Sequence, residues 1–195
     1  MGDYDISGLV EDLTRLTSQI SDLDTILTRG RDAIARLMRN PAAIPDVYLR
    51  AANPTRPSQY VLHRADHDRL FVTLVVWLTG QVAPIHDHQT WAIIGQYSGR
   101  TRERRFRRLD DGTRPGFAEL RETAIIETAP GDITTLIPPD NDIHCPENPW
   151  PDPSVTIHAY GRYLGGYWRN TYDERGRSAT PFLISNYDSV PKCFT

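Results

Sequence analysis

The stretch Gly80-Gln81-Val82-Ala83-Pro84-Ile85-His86-Asp87-His88, followed by Gly99, decides how this chain is read. Successive side chains of a strand alternate between faces, so His86 and His88 point the same way and offer two imidazoles to one ion. Two surface or structural histidines near a turn are the plain alternative. The surroundings of the pair decide between the two.

Working outward, the texture from about Asn53 onward is that of short runs rich in Val, Ile, Thr and aromatics, broken by Gly, Pro and Asp. The pattern predicts strands at Gln59–Arg64, Leu70–Leu78, Val82–Asp87, Thr90–Tyr97, Thr101–Arg108, Ala118–Thr128, Ile133–Ile137, Asp142–Glu147, Thr156–Gly161 and Gly165–Asn170. Many short strands at regular spacing mean a sandwich or barrel. Before them, residues 6–20 and 22–39 place Leu, Ile and Val at helical spacing, so two amphipathic helices open the chain. Ser21 is the expected N-cap between them, and Asn40-Pro41 closes the second. The chain divides into a helical lead-in (1–41), a β-barrel (59–170) and a C-terminal extension (171–195) of one domain.

With 195 residues the chain has the length of one domain with a full core. A net charge of −3 with mixed signs gives no electrostatic reason to expect nucleic acid or a membrane as partner. The run Arg100, Arg102, Arg104, Arg105, Arg107 and Arg108 is locally basic, but it is interleaved with Thr101, Glu103 and Phe106 and reads as a solvated sheet face. Cys145 and Cys193 are too few and too oddly placed for a disulfide framework. The acidic start Met1-Gly2-Asp3-Tyr4-Asp5 has no apolar signal-type core, and Ile6 stands where a myristoylation motif wants Ser or Thr. A cytoplasmic protein, with its oligomeric state open, is the expectation.

Context separates the six histidines. His67 lies in a polar turn and His63 has no partner at ligand spacing. The spacing of Gly80, His86, His88 and Gly99 resembles the first signature motif of the cupin superfamily, with Ala92 where most cupins carry a glutamate ligand. His144, in Asp142-Ile143-His144-Cys145-Pro146-Glu147-Asn148, has the closing His-x-x-x-Asn spacing of the second motif. The resemblance implies a double-stranded β-helix, the jelly-roll barrel, with His86, His88 and His144 as three neutral ligands. Such a set suits Fe(II), Zn(II), Cu or Ni, and ligand type alone does not choose among them.

A second cluster, Thr156-Ile157-His158-Ala159-Tyr160, puts a hydroxyl, an imidazole and a phenol on one face of a strand, able to hydrogen-bond in series. The same row is what a core strand with one satisfied histidine would look like. Beside a three-histidine site it reads as an outer proton and dioxygen network.

The combination of His-Asp-His, an isolated later histidine, and Ser/Thr-x-His-x-Tyr resembles the cysteine dioxygenase family of thiol dioxygenases, over about Gln59 to Pro181. The family implies Fe(II), a thiol substrate and dioxygen, and a sulfinic acid product. The chain looks closer to the bacterial 3-mercaptopropionate dioxygenases: Gln59 stands where those enzymes carry glutamine, and Arg169 matches the arginine that binds or steers the substrate carboxylate. Arg50, in Tyr48-Leu49-Arg50, mimics the arginine motif of the cysteine enzymes and is the minor alternative. Ala92 occupies the place of the cysteine that crosslinks to the tyrosine, so no Cys–Tyr crosslink is expected. Thr156 replaces the usual serine and fixes its side chain more tightly. The resemblance thus gives Tyr160, His158 and Thr156 catalytic roles, and Arg169 and Gln59 the substrate. Trp77, Trp91, Tyr97 and Trp168 read as barrel core, with Trp91 near enough to His88 to wall a pocket. Two other readings stand beside this one: another three-histidine cupin enzyme, a dioxygenase or isomerase acting on carbon, and a non-catalytic metal- or small-molecule-binding cupin.

Overall fold

A computed structural model of the chain describes residues 4–185, 187 and 188. Two helices come first, α1 (Ile6–Gln19) and α2 (Leu23–Met38). Eleven strands follow among the described residues: β1 (Ser58–Arg64), β2 (Phe71–Trp77), β3 (Ile85–His86), β4 (Ala92–Ser98), β5 (Thr101–Arg108), β6 (Leu120–Thr128), β7 (Ile133–Leu136), β8 (Ile143–Glu147), β9 (Ser154–Tyr160), β10 (Arg169–Asp173) and β11 (Ser178–Phe182).

The strands form two sheets, ordered β1-β2-β9-β4-β7 and β11-β10-β3-β8-β5-β6. From β2 to β5 and again from β6 to β10 the chain passes from one sheet to the other at each strand. Every strand pairing is antiparallel. This alternation is the double-stranded β-helix that the signature spacing implied.

Strands β2 and β9 are buried along their whole length. An antiparallel strand usually alternates buried with exposed residues, and a continuous buried run means both sheet faces are covered. On one face Val72, Leu74, Val76, Val155, Ile157 and Ala159 pack with Leu9, Leu13, Ile34 and Leu37 of the helices. The opposite face looks into the barrel. Helix α2 lies so close to β4 that a Cβ on Gly95 would stand 2.5 Å from Ile34 Cγ2, and one on Gly30 would collide with Ile93 Cδ1. At Gly95, crowded also by Met38 and Ile157, any side chain would force the helix or the strand to shift, whereas at Gly30 the obstacle is the tip of the Ile93 side chain.

Several expectations are corrected. The N-cap of α2 is Asp22 rather than Ser21, because its carboxylate reaches the Thr25 amide at 2.9 Å. The strand expected over Val82–Asp87 shrinks to Ile85–His86, since Pro84 has no amide to donate to a ladder. β-Structure continues past Asn170: β10 pairs with β3, and the hairpin to β11 occupies residues assigned above to a C-terminal extension. The arginine-rich strand is not wholly solvated. Thr101, Glu103, Arg105 and Phe106 are buried, whereas Arg100, Arg102, Arg104 and Arg108 pair outside with Glu127, Glu147, Glu122 and Asp110. Trp168 is 62 % exposed, so it is not core. Cys145 is a buried free thiol, and Cys193 lies outside the described residues. No described helix is long and apolar enough to cross a membrane.

Candidate metal centre

His86 on β3 stands directly opposite His144 on β8 in the antiparallel ladder. His88 follows two residues later on the same side. The bend after it is fixed by carboxylates: Asp142 accepts from the amides of His88 (3.2 Å) and Gln89 (2.7 Å). Asp87, pointing the other way, accepts from the Asn170 amide and the Tyr172 hydroxyl, both at 2.8 Å. These bonds turn alternation into a fixed convergence of three rings, with one nitrogen of each within 4.8 Å of the others.

The protons on the rings decide what the convergence can hold. His86 Nδ1 donates to the Pro84 carbonyl at 2.8 Å, and His144 Nδ1 donates to the Glu103 carboxylate, so both Nε2 atoms carry bare lone pairs. These two nitrogens lie 3.2 Å apart. His88 Nε2 is 2.9 Å from His144 Nε2, while its Nδ1 faces the donor-only Arg169 Nη1 at 3.1 Å. The proton between His88 and His144 therefore occupies a position that a cation can take, and lone pairs facing one another at this distance favour one. The residues fit a divalent ion bound by three imidazoles. Burial, followed by the neighbouring imidazoles, holds the pKa of His88 well below that of a free histidine, so the ring is neutral with its proton on Nε2, and ligation through that atom requires the proton to leave; burial is also the main cause for His86.

Glu103 is a member of this site that sequence reasoning missed. It is 6 % exposed and paired with Arg105, itself 4 % exposed, whose Nη2 donates to it at 3.0 Å. Burial pushes the Glu103 carboxyl up, but His144 and Arg105 outweigh this and hold it below the usual range. A carboxylate behind a ligating histidine fixes the tautomer and strengthens the ring as a donor. The signal was present in Thr101-Arg102-Glu103-Arg104-Arg105: Thr101, Glu103 and Arg105 share a face, with an acid set among arginines.

The facing sheet supplies the second cluster. Thr156 Oγ1 lies 2.8 Å from His158 Nε2, and His158 Nδ1 lies 2.8 Å from the Tyr160 hydroxyl. Trp77 Nε1 donates to Thr156 Oγ1 at 3.2 Å, an end of the chain that the sequence reading had left in the core. With Thr156 donating to His158 and His158 to Tyr160, the phenol proton is left for the cavity; the reverse order would leave the Thr156 proton instead. Burial pushes the His158 imidazole down to about 3 and the Tyr160 phenol above its ordinary value. Both stay neutral at pH 7. Tyr160 lies beside His88, ring centroids 5.0 Å apart and planes tilted by 36°, and Ala92 is its direct ladder neighbour.

The three imidazoles share a cavity of about 270 Å³ with His158 and Tyr160, and Gln59 and Arg169 also line it. No carboxylate lines it among the described residues. Arg169, the first residue of β10, is 1 % exposed; Nη1 reaches the Asp87 carbonyl at 3.2 Å, but Nε and Nη2 have no partner among the described residues. A buried donor without an acceptor costs about 1–3 kcal/mol, more when charged, so this guanidinium fits an anion in the cavity. Arg50 is exposed and does not line the cavity; its backbone carbonyl accepts from Tyr60. Trp91 does not line it either, and packs against the helix-side core. His67 is exposed, and His63 meets Thr14 at 3.3 Å away from the cluster.

No family model matches the chain. Among solved structures it is similar to a protein of Thermus thermophilus, with 18 % identity over 61 % of this chain and 95 % of that one, at a TM-score of 0.44. A cupin superfamily protein from Desulfitobacterium hafniense has 13 % identity over 64 % of this chain and 94 % of that one, TM-score 0.44. Oxalate decarboxylase of Bacillus subtilis, with Mn(II) centres, has 18 % identity over 65 % of this chain but 29 % of its own, TM-score 0.43. Likenesses this distant assign neither activity nor metal, and the strand order and the three imidazoles stand on their own as features that fit a metal-dependent cupin.

Proposed function

We propose that the protein is an Fe(II)-dependent dioxygenase of small carboxylated thiols, with 3-mercaptopropionate ahead of cysteine. The reaction joins one thiol and one dioxygen into a sulfinic acid; the sulfur gives up four electrons, both oxygen atoms are retained, and no other reductant is needed. The observation that carries this reading is the buried, half-partnered guanidinium of Arg169 in the same cavity as three imidazoles and a relay ending on a phenol.

Fe(II), held by His86, His88 and His144, would supply a Lewis acid for the thiolate and electrons for dioxygen. The remaining tasks fall to side chains. Arg169 presents Nε and Nη2 to the carboxylate, a charge-assisted bond of about 1.5–3 kcal/mol where water is excluded. Gln59 reaches the same cavity from β1 as a neutral partner. Tyr160 keeps its proton at neutral pH and offers it to the reacting end of the substrate, with His158 and Thr156 fixing its direction. Phe71, Val75 and Trp77 wall the space with apolar surface.

The preference for 3-mercaptopropionate follows from charge. Cysteine brings an ammonium into a cavity that already faces Arg169 and a divalent ion and has no lining carboxylate to receive it among the described residues. A carboxylated thiol without the amine carries only charges the site can use. The test is oxygen uptake by the Fe(II)-loaded protein with 3-mercaptopropionate, cysteine and cysteamine, and mass spectrometry of the product under ¹⁸O₂. Uptake should be fastest with 3-mercaptopropionate and place two labelled atoms in the sulfinate. No oxygen uptake with any of the three thiols would return the site to another cupin chemistry or to binding alone.

A further inference from the structure

Arg169 is not alone in holding a hydrogen-bond donor idle in this cavity. Tyr187, from the segment after β11, also lines it, and its hydroxyl is buried with no partner among the described residues. The sequence pattern held no hint of it, because only the return of the chain across β1 brings it there.

Its position is built. The Tyr187 ring meets Phe71 edge-on at 5.4 Å between centroids and lies 6.3 Å from Tyr163. The next residue, Asp188, is tied to β1: its carboxylate accepts from the Gln59 amide at 2.7 Å and from both terminal nitrogens of Arg56 at 2.9 and 2.8 Å, and its own amide donates to the Gln59 carbonyl at 2.8 Å. The ring is held in place, and its hydroxyl proton is offered to an acceptor that enters the cavity. Burial raises the Tyr187 phenol, with the nearby Arg169 charge opposing, so at neutral pH the group remains a donor.

We infer that Tyr187 is a specificity-determining residue that donates a hydrogen bond to the same substrate carboxylate that Arg169 pairs with. A carboxylate has two oxygens and about four lone-pair sites, enough for the two idle guanidinium nitrogens and one phenol at once. An alcohol oxygen can accept from at most two of these donors, and an ammonium or the alkyl end of a bare thiol from none, so rejection of analogues without the carboxylate comes from the site's own unmet donors. The inference rests on the substrate class proposed above for what the anion is, but not on turnover.

The test is calorimetric binding of 3-mercaptopropionate and of ethanethiol, which lacks the carboxylate, to the full-length protein loaded with redox-inert Zn(II). Tyr187→Phe keeps the ring against Phe71 and Tyr163 and should weaken 3-mercaptopropionate by about tenfold while leaving ethanethiol unchanged. Asp188→Asn, which loosens the hold of β1, should weaken 3-mercaptopropionate less than Tyr187→Phe does. Equal loss for both ligands in Tyr187→Phe would assign the residue to packing and overturn the inference. So would unchanged binding of 3-mercaptopropionate, or a wild-type protein that binds the two thiols alike or neither. Binding through Tyr187 in a protein that consumes no oxygen with Fe(II) would instead overturn the dioxygenase reading alone.

Discussion

The two faces of β9 make opposite use of one strand. Val155, Ile157 and Ala159 are packed by the helices into an apolar cluster, whereas Thr156, His158 and Tyr160 on the other side form a hydrogen-bonded row along the cavity. Both faces are equally dry, so burial does not distinguish them. What differs is whether the polar groups find partners. The relay satisfies every hydrogen bond internally except the last proton, and a buried polar row arranged that way leaves its chemistry at the cavity end.

If the inner face is for chemistry and the outer for stability, substitutions should separate cleanly. The largest effect is expected at the imidazoles themselves. His144→Ala removes one ligand and leaves Glu103 with Arg105 alone, and should abolish stoichiometric iron binding as measured by inductively coupled plasma mass spectrometry. Retention of one iron per chain would move the metal away from these rings. Next comes the relay: Tyr160→Phe should lower kcat about 10–100-fold with iron content unchanged, the cost of losing an outer hydrogen-bonding partner. Wild-type turnover in that variant would reduce the inner face to packing.

A smaller and more selective effect is expected at the carboxylate. Arg169→Ala should raise KM for 3-mercaptopropionate about tenfold or more and barely alter that for cysteamine, since the lost contact is worth about 1.5–3 kcal/mol and is common to ground and transition states. Arg50→Ala, at an exposed position outside the cavity, should alter neither. The smallest effect on catalysis belongs to the outer face. Ile157→Val should cost about 0.5–1.5 kcal/mol in urea unfolding and leave kcat within error; a change in kcat would mean that the two faces are coupled through the strand.

Much of this arrangement was legible in the chain. The His86/His88 pair and the Thr156-His158-Tyr160 row follow from period-two alternation, His144 from its resemblance to the second cupin motif, and the two helices from apolar spacing. Local patterns set which residues share a face. They do not set what stands across from that face, which is why Glu103 was read as part of a solvated arginine row although it backs His144. Tyr187 lay further out of reach, because its place depends on Asp188 docking on a strand more than a hundred residues earlier. The β11 hairpin was missed for a simpler reason. Ser178-Ala179-Thr180-Pro181-Phe182 has a proline and little apolar alternation, and it is a strand only because it is an edge that pairs on one side.

The close seating of α2 on β4 gives the barrel a mechanical aspect. The imidazoles hang from one sheet and the phenol relay from the other, so the cavity is a joint between two plates, and the helix pair is clamped to the back of the plate that carries the relay. Gly95 is where the clamp bites, with Ile34 and Met38 on the helix and Ile157 on the neighbouring strand all within 3.2 Å of where its Cβ would be. A methyl group there would act as a wedge. It would press α2 away or tilt the plate, altering the gap between proton donor and metal ligands from a point that touches neither.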